Sequence, residues 1–290
     1  MELEADEFAA FVMAKLGAPL NQVESAISLI SNDKDDSYST HPSRGKRLNA
    51  VRIGYNKAGG NSRQNNDYVV DNSTMSVEQY YNRGIQKRDS QDYYGAIEDY
   101  NAALRIKPDY ANALFQRAYA KDKLNDYSGA IADIDKYIEL EPDDADAYFN
   151  RGHSKTKLKD YYGAIADYTK YIELEPDDAV AYYNRGVSKG NLKDYYGAIA
   201  DYSKVIELKP DYTNAYYNRG IVKNNLKDYY GAIADYSKVI ELEPDDADAY
   251  YNRGVLKNNL GDLNGACVDW RKAASLGNSS SAEWVKNNCN

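Results

Sequence analysis

The chain has 290 residues and a net charge of −9, with 43% hydrophobic and 12% aromatic residues, 30 of them tyrosine. That apolar content supports a packed fold rather than general disorder. The acidic balance argues against a nucleic-acid partner, which needs a basic face, and no apolar run approaches the roughly 18 residues of a membrane span.

Residues 1–57 read as a small helical piece. Glu4 to Leu16 places Phe8, Phe11, Val12 and Leu16 on one side of a helix. Asn21 to Ile30 gives a second helix and Ser43 to Tyr55 a third, with Leu48, Val51 and Tyr55 on one face. Residues 58–76 are rich in Gly, Asn and Ser and are expected to form a flexible linker. A piece this short is small for an independent core.

Two stretches here resemble motifs of the HtpX-like and BepA-like zinc metallopeptidases. Glu2-Leu3-Glu4-Ala5-Asp6 is similar to the ExxAD helix. Ser39-Thr40-His41-Pro42, followed by Arg47-Leu48, is similar to the "THP…R" stretch near the end of that catalytic domain. The resemblance implies that Glu2 stands at a zinc-ligand position and that His41 lies near the cleft. It also implies that Asp6, one helical turn on, supports a metal-bound histidine. A catalytic zinc takes about three protein ligands and an open position. The family draws two histidines and its general base from an HExxH helix, and this sequence has only His41 and His153 and no HExxH. The segment therefore reads as the carboxy-terminal half of a peptidase domain cut ahead of its metal site. As it stands it is expected neither to hold zinc nor to hydrolyse peptides, and no cofactor is expected without the upstream half. An unrelated acidic helix with a chance ExxAD is the alternative. The acidic start lacks the basic region of a signal peptide, so cytoplasm is the default expectation, with a periplasmic or exported protein if the chain is a truncated product.

From Val77 the sequence becomes periodic. The stretch Ala145–Asp178 recurs at intervals of 34 as residues 179–212, 213–246 and 247–280, and backwards as 111–144 and, more loosely, 77–110. Pro108, Pro142, Pro176, Pro210 and Pro244 keep the interval. A fixed period in this range marks a solenoid. Within each unit, counted from position 1, position 16 is Asp in all six copies and precedes an apolar run of helical spacing, such as Tyr161, Ala164, Ile165, Tyr168 and Ile172. Such an Asp caps a helix start. The prolines end that helix, and Asp177–Asp178 are expected to cap the next. Each unit is thus two helices, with small residues at positions 8 and 20 against large ones at positions 4 and 24, which lets the helices approach closely. One hairpin cannot cover its own apolar face, so copies stack.

Tyr at position 4, Gly at 8, Ala at 20, Tyr at 24 and Pro at 32 resemble the tetratricopeptide repeat. The resemblance covers residues 77–280 and implies an all-α, right-handed α-solenoid of six hairpins. Two positions depart from it. Position 7, usually Leu, is always Arg (Arg83, Arg117, Arg151, Arg185, Arg219, Arg253), and position 11, often Tyr, is always Lys. An Arg at an apolar position needs a partner. Position 23 is Asp in every copy, from Asp99 to Asp269, so Arg–Asp framework pairs between the two helices of each repeat are expected, with a ligand-binding Arg as the alternative.

In such a stack the first helices line the concave side. Position 5 there is aromatic throughout (Tyr81, Phe115, Phe149, Tyr183, Tyr217, Tyr251), and position 6 carries an amide (Asn82, Gln116, Asn150, Asn184, Asn218, Asn252). An amide donates and accepts at once. A row of them could pair with the backbone of an extended peptide, and this is similar to the asparagine ladder of O-linked N-acetylglucosamine transferases. The same Asn-Arg-Gly triplet also fits a plain framework role with the amide in water; the sequence leaves both open. His153 reads as a register variant of position 9. The carboxylate clamp of chaperone-binding relatives wants Lys at position 5, where aromatics stand instead.

At the carboxy-terminal end, Leu276-Gly277 stops the last repeat helix, and Ser279–Ser281 are expected to cap a final helix, Ala282 to Asn288, within a capping segment 281–290. Folded back, that helix would cover the end of the stack with Trp284 and Val285 and bring Cys267 beside Cys289. An oxidising compartment would join them and a reducing one would leave two thiols. The sequence thus points to a protein-interaction scaffold that holds an extended peptide; a fragment of a repeat-tailed zinc metallopeptidase is the competing reading. Oligomeric state is not encoded in any of these features.

Overall fold

The computed structural model describes residues 75–289. The described residues contain no strand. Helices α1 (Val77–Asp89) and α2 (Tyr93–Ile106) form the first hairpin, α3 (Ala111–Lys123) and α4 (Tyr127–Leu140) the second, and α5 (Ala145–Lys157) and α6 (Tyr161–Leu174) the third. Then come α7 (Ala179–Asn191) with α8 (Tyr195–Leu208), α9 (Thr213–Asn225) with α10 (Tyr229–Leu242), and α11 (Ala247–Asn259) with α12 (Leu263–Ser275). The short helix α13 (Ser279–Asn288) closes the order. Each helix packs on the one before and the one after. The first helices of neighbouring repeats also approach one another, from α1·α3 to α7·α9, which puts them on the inner side of the stack.

The helix ends follow from local chemistry. The Asp at position 16 accepts from the amide of the Gly at position 19 in every repeat, as Asp160 does from Gly163. A Cβ at Gly163 would lie 2.3 Å from the Asp160 carboxylate, so glycine and cap are one device. The residue before the cap is left-handed: Gln91, Asn125, Lys159, Lys193 and Lys227 have φ of 61–64°. Such a backbone is uncommon for a residue with a side chain. Two C-terminal amide bonds hold it, as from Lys159 to Thr156 O (3.0 Å) and Asp160 to Lys155 O (2.9 Å).

First helices are capped less uniformly. Asp144, Asp178 and Asp246 accept from backbone amides as the sequence suggests. Tyr110 and Tyr212 end the other repeats and make no side-chain cap bond. Ser76, placed in the linker by composition, forms a capping box with Gln79 and begins α1.

The core runs between the two helices of each hairpin. The Ala at position 20 is fully buried in all six copies, from Ala96 to Ala266. The ring at position 24 lies over position 8: a Cβ on Gly84 would fall 2.6 Å from Tyr100. The second repeat has Ala118 there, and in that repeat position 24 is Ile134 rather than a ring; both are buried in the same cluster.

The end of the stack differs slightly from the sequence expectation. Asn278, not Ser279–Ser281, caps α13 by accepting from the Ser281 amide, so the helix starts three residues earlier than Ala282. Gly277 takes φ 98° to make the turn. Val285 packs on the cluster of Ala266, Cys267, Trp270 and Cys289, and the Trp270 and Trp284 rings are 5.0 Å apart. Cys267 and Cys289 are disulfide-bonded, with Cα atoms 5.5 Å apart.

Candidate functional site

The charges that recur in every repeat are framework. In every repeat the position 7 Arg reaches the position 23 Asp. The distances are 2.5 Å for Arg83–Asp99, 2.6 Å for Arg151–Asp167 and Arg219–Asp235, and 2.7 Å for Arg185–Asp201 and Arg253–Asp269; Arg117–Asp133 pairs likewise. The position 11 Lys binds the second oxygen of the same carboxylate at 2.7–2.9 Å, from Lys87–Asp99 to Lys257–Asp269. The Asp is buried in each case, so one carboxylate answers two cations, and both departures from the repeat consensus have a single cause.

The Arg also joins repeat to repeat. Its remaining nitrogen donates to position 25 of the preceding unit: Arg117 to Asn101 (2.6 Å), Arg151 to Asp135 (2.7 Å), Arg185 to Thr169 (3.1 Å), Arg219 to Ser203 (2.9 Å) and Arg253 to Ser237 (3.0 Å). Its guanidinium lies 5.5–5.6 Å from the position 4 Tyr ring in five repeats. A flat cation with an apolar stem thereby fills a leucine's place. The sequence signal for the third contact was an oxygen-bearing side chain at position 25 in five successive repeats.

The inner face is uneven. All six position 5 rings are half-buried; Phe115 packs on Tyr137 (4.9 Å) and Phe149 on Tyr171 (5.2 Å) of the second helix, and Tyr183 on Tyr212 (5.3 Å), the residue just before the next repeat's first helix. Tyr81 lies 5.2 Å from Tyr110, Tyr217 lies 5.5 Å from Tyr236, and Tyr251 packs on the cluster of Ala266, Cys267, Trp270 and Cys289. The position 6 amides fall into two groups. Asn218 donates to the Tyr183 hydroxyl (2.8 Å) and Asn252 to the Tyr217 hydroxyl (2.9 Å), each reaching back to position 5 of the preceding repeat. Burial pushes the Tyr183 and Tyr217 hydroxyl pKa values up, and these bonds oppose that rise. Gln116 accepts from Arg88. Asn150 and Asn184 have Phe115 and Phe149 at the corresponding place, with no hydroxyl to bind. Their side-chain amides make no hydrogen bond among the described residues; they are partly exposed, as Asn218 and Asn252 are, while Asn82 is exposed.

Beside Asn150 a cleft of about 180 Å³ opens between the second and third repeats. Phe115, Ala118, Ile134 and Phe149 line it, with Tyr119, Asp122, Lys123, Asn150, His153 and Ser154. Ser154 donates to the Asp122 carboxylate (3.2 Å), and His153 Nε2 lies 4.0 Å from the same oxygen. Burial lowers the His153 pKa, Asp122 opposes this, and Lys157 and Lys123 lower it further. His153 thus forms part of the wall of this cleft.

Glu2, Asp6 and His41, the positions implied by the peptidase resemblance, lie outside the described residues, as do the helices expected within 4–55. Among the described residues no group of three or more His, Cys, Asp and Glu gathers as a metal would require, and no helix is long and apolar enough to cross a membrane.

The geometry defines a class: an α-solenoid of stacked helix pairs whose inner helices carry the variable side chains. Family models described as tetratricopeptide repeat match residues 111–144, 145–178 and 179–212, and one described as TPR repeat matches 224–261. Solved structures share the fold. One is MamA from Desulfovibrio magneticus RS-1, at 24% identity and TM-score 0.56 over 59% of this chain and 96% of that one. Another is YrrB, described as a TPR protein with an unusual peptide-binding site, at 23% identity and TM-score 0.57 over 64% and 97%. The C-terminal part of a TPR repeat-containing protein from Cytophaga hutchinsonii gives 19% identity and TM-score 0.62 over 71% and 82%. No curated protein matches the sequence. Residues 111–212 and 224–261 thus match tetratricopeptide-repeat models, and the solved structures show the same fold.

Proposed function

We propose that the inner face of the stack binds an extended segment of another protein, and that Asn150 and Asn184 clamp its backbone. The observation that carries this reading is the pair of partly exposed amides, on adjacent first helices, that make no side-chain hydrogen bond among the described residues. Each offers a donor and an acceptor, which is what a peptide unit presents in return. Neighbouring repeats stand about 10 Å apart, so the two amides would meet peptide units about three residues apart at roughly 3.3 Å per residue. The rings at position 5 supply apolar contact between the amides. The likeness in fold to YrrB, whose description includes a peptide-binding site, supports peptide binding as the use of such a stack.

The ladder proposed here has two strong rungs rather than six equal ones, because Asn218 and Asn252 are already engaged by tyrosines. The test is capture from a phage-displayed library of random 15-residue peptides by wild type and by Asn150→Ala/Asn184→Ala. The double variant should lose most captured clones, whereas Asn218→Ala should lose stability and keep them. Equal capture by wild type and the double variant rejects the clamp.

A further inference from the structure

We propose that the cleft between the second and third repeats is a selectivity pocket that receives one tyrosine or tryptophan side chain of the bound peptide. This rests on the peptide-binding reading and says which residue of the peptide the face distinguishes. The cleft holds about 180 Å³, below the range of roughly 300–1,000 Å³ usual for a small-molecule site, and so suits a single side chain.

The lining decides the chemistry. Phe115, Ala118, Ile134 and Phe149 form an apolar floor, which a flat ring covers well. The edge carries an acceptor with capacity to spare: the Asp122 carboxylate receives only the Ser154 hydroxyl among the described residues, and a carboxylate has about four lone-pair sites. A cationic peptide residue would meet the Lys123 ammonium, which sits over the Tyr119 ring at 5.0 Å, and an anionic one would meet Asp122. A neutral ring with one donor at its far end satisfies both the floor and the edge. Phenol and indole are the side chains that fit this description. His153 stays neutral near pH 7 because burial disfavours its charged form, so it adds no third charge.

No other joint repeats this set. Position 12 is Arg88, Thr156, Gly190, Asn224 and Asn258 in the other five repeats, so Asp122 is the one carboxylate there. Position 9, where His153 stands, is Val187, Ile221 and Val255 in the following repeats. The pocket thus singles out one register of the peptide, beside the Asn150 clamp.

The full chain has two histidines, so His153 can be followed by NMR, with His153→Val assigning its signal. Titration with N-acetyltyrosinamide should shift the His153 ring signals. N-acetylphenylalaninamide should bind about tenfold more weakly, as should N-acetyltyrosinamide to Asp122→Asn, since each removes one charge-assisted hydrogen bond. Equal binding of the phenylalanine and tyrosine probes, a preference for N-acetylargininamide, or an unmoved His153 signal overturns the pocket. The peptide library separates the two readings. Clones captured through Asn150 and Asn184 with no fixed Tyr or Trp keep the clamp and reject the pocket. If no clone depends on those amides the clamp fails, and the His153 titration alone then decides the pocket. Unchanged signals of the repeat amides in Asp122→Asn would show that its loss of binding is not unfolding.

Discussion

Repeats two and three carry Phe115 and Phe149 at position 5, whereas repeats four and five carry Tyr183 and Tyr217. The two regions share their framework: the same buried Asp, the same Arg and Lys upon it, the same glycine-assisted cap. One hydroxyl separates them. Where it is present, the next repeat's asparagine binds it and the inner face is closed on itself. Where it is missing, the asparagine side chain makes no hydrogen bond among the described residues and keeps its capacity. A repeat array can therefore keep one framework along its length and still open a binding segment, because opening it needs only a ring without oxygen.

The largest effect should test the shared half of that comparison. Asp167→Ala in the third repeat and Asp235→Ala in the fifth each strand a half-buried Arg and Lys. Each should cost about 3–5 kcal/mol in urea denaturation, and by similar amounts. A marked difference between them would break the claim of one framework. Next, reduction of Cys267–Cys289, which closes a loop of 22 residues, should cost about 2–4 kcal/mol. Hydrogen exchange should find the loss confined to α12 and α13, leaving both compared regions untouched.

The sharpest test exchanges the hydroxyl. Phe149→Tyr should let Asn184 bind the new oxygen, raising stability by about 0.5–1.5 kcal/mol and lowering peptide capture. Tyr183→Phe should do the reverse, releasing Asn218 and extending the open segment by one repeat. Failure of either to change capture would remove the hydroxyl from the explanation. The smallest effect is one of pH. The folded-state pKa of His153 lies below its ordinary 6.5, so the unfolded chain binds the proton more readily. Its contribution is complete above 6.5 and is lost as pH falls through the folded value. His153→Val should flatten that part of the stability profile, and Asp122→Asn should move the NMR titration midpoint still lower, because Asp122 holds it up.

Most of the fold was legible in the sequence because each structural role is written six times. An Asp before an apolar run is ambiguous once and a cap when it recurs at every 34th residue, and an Arg matched by an Asp at fixed offset is a pair. What escaped were relations read between repeats. Lys at position 11 was as constant as the Arg but had no evident partner until one carboxylate was seen to hold both. Tyr110 and Tyr212 stand where Asp144, Asp178 and Asp246 cap in the other repeats. The amides looked like an even row because their own positions hardly vary; their difference lies 35 residues earlier, in whether Phe or Tyr precedes them. The cleft was missed for the same reason, since Asp122 and His153 sit 31 apart in the chain and meet only when two first helices lie side by side.

The pairing of Trp270 with Trp284 has an optical consequence. They are the chain's only two indoles, so red-edge emission reports solely on the last repeat and its lid. The phenols, by contrast, recur in every repeat, and far-ultraviolet dichroism averages over all the helices. Emission that changes before dichroism on heating would reveal a molecule that peels from its carboxy-terminal tip, and coincident curves would reveal one that melts as a block.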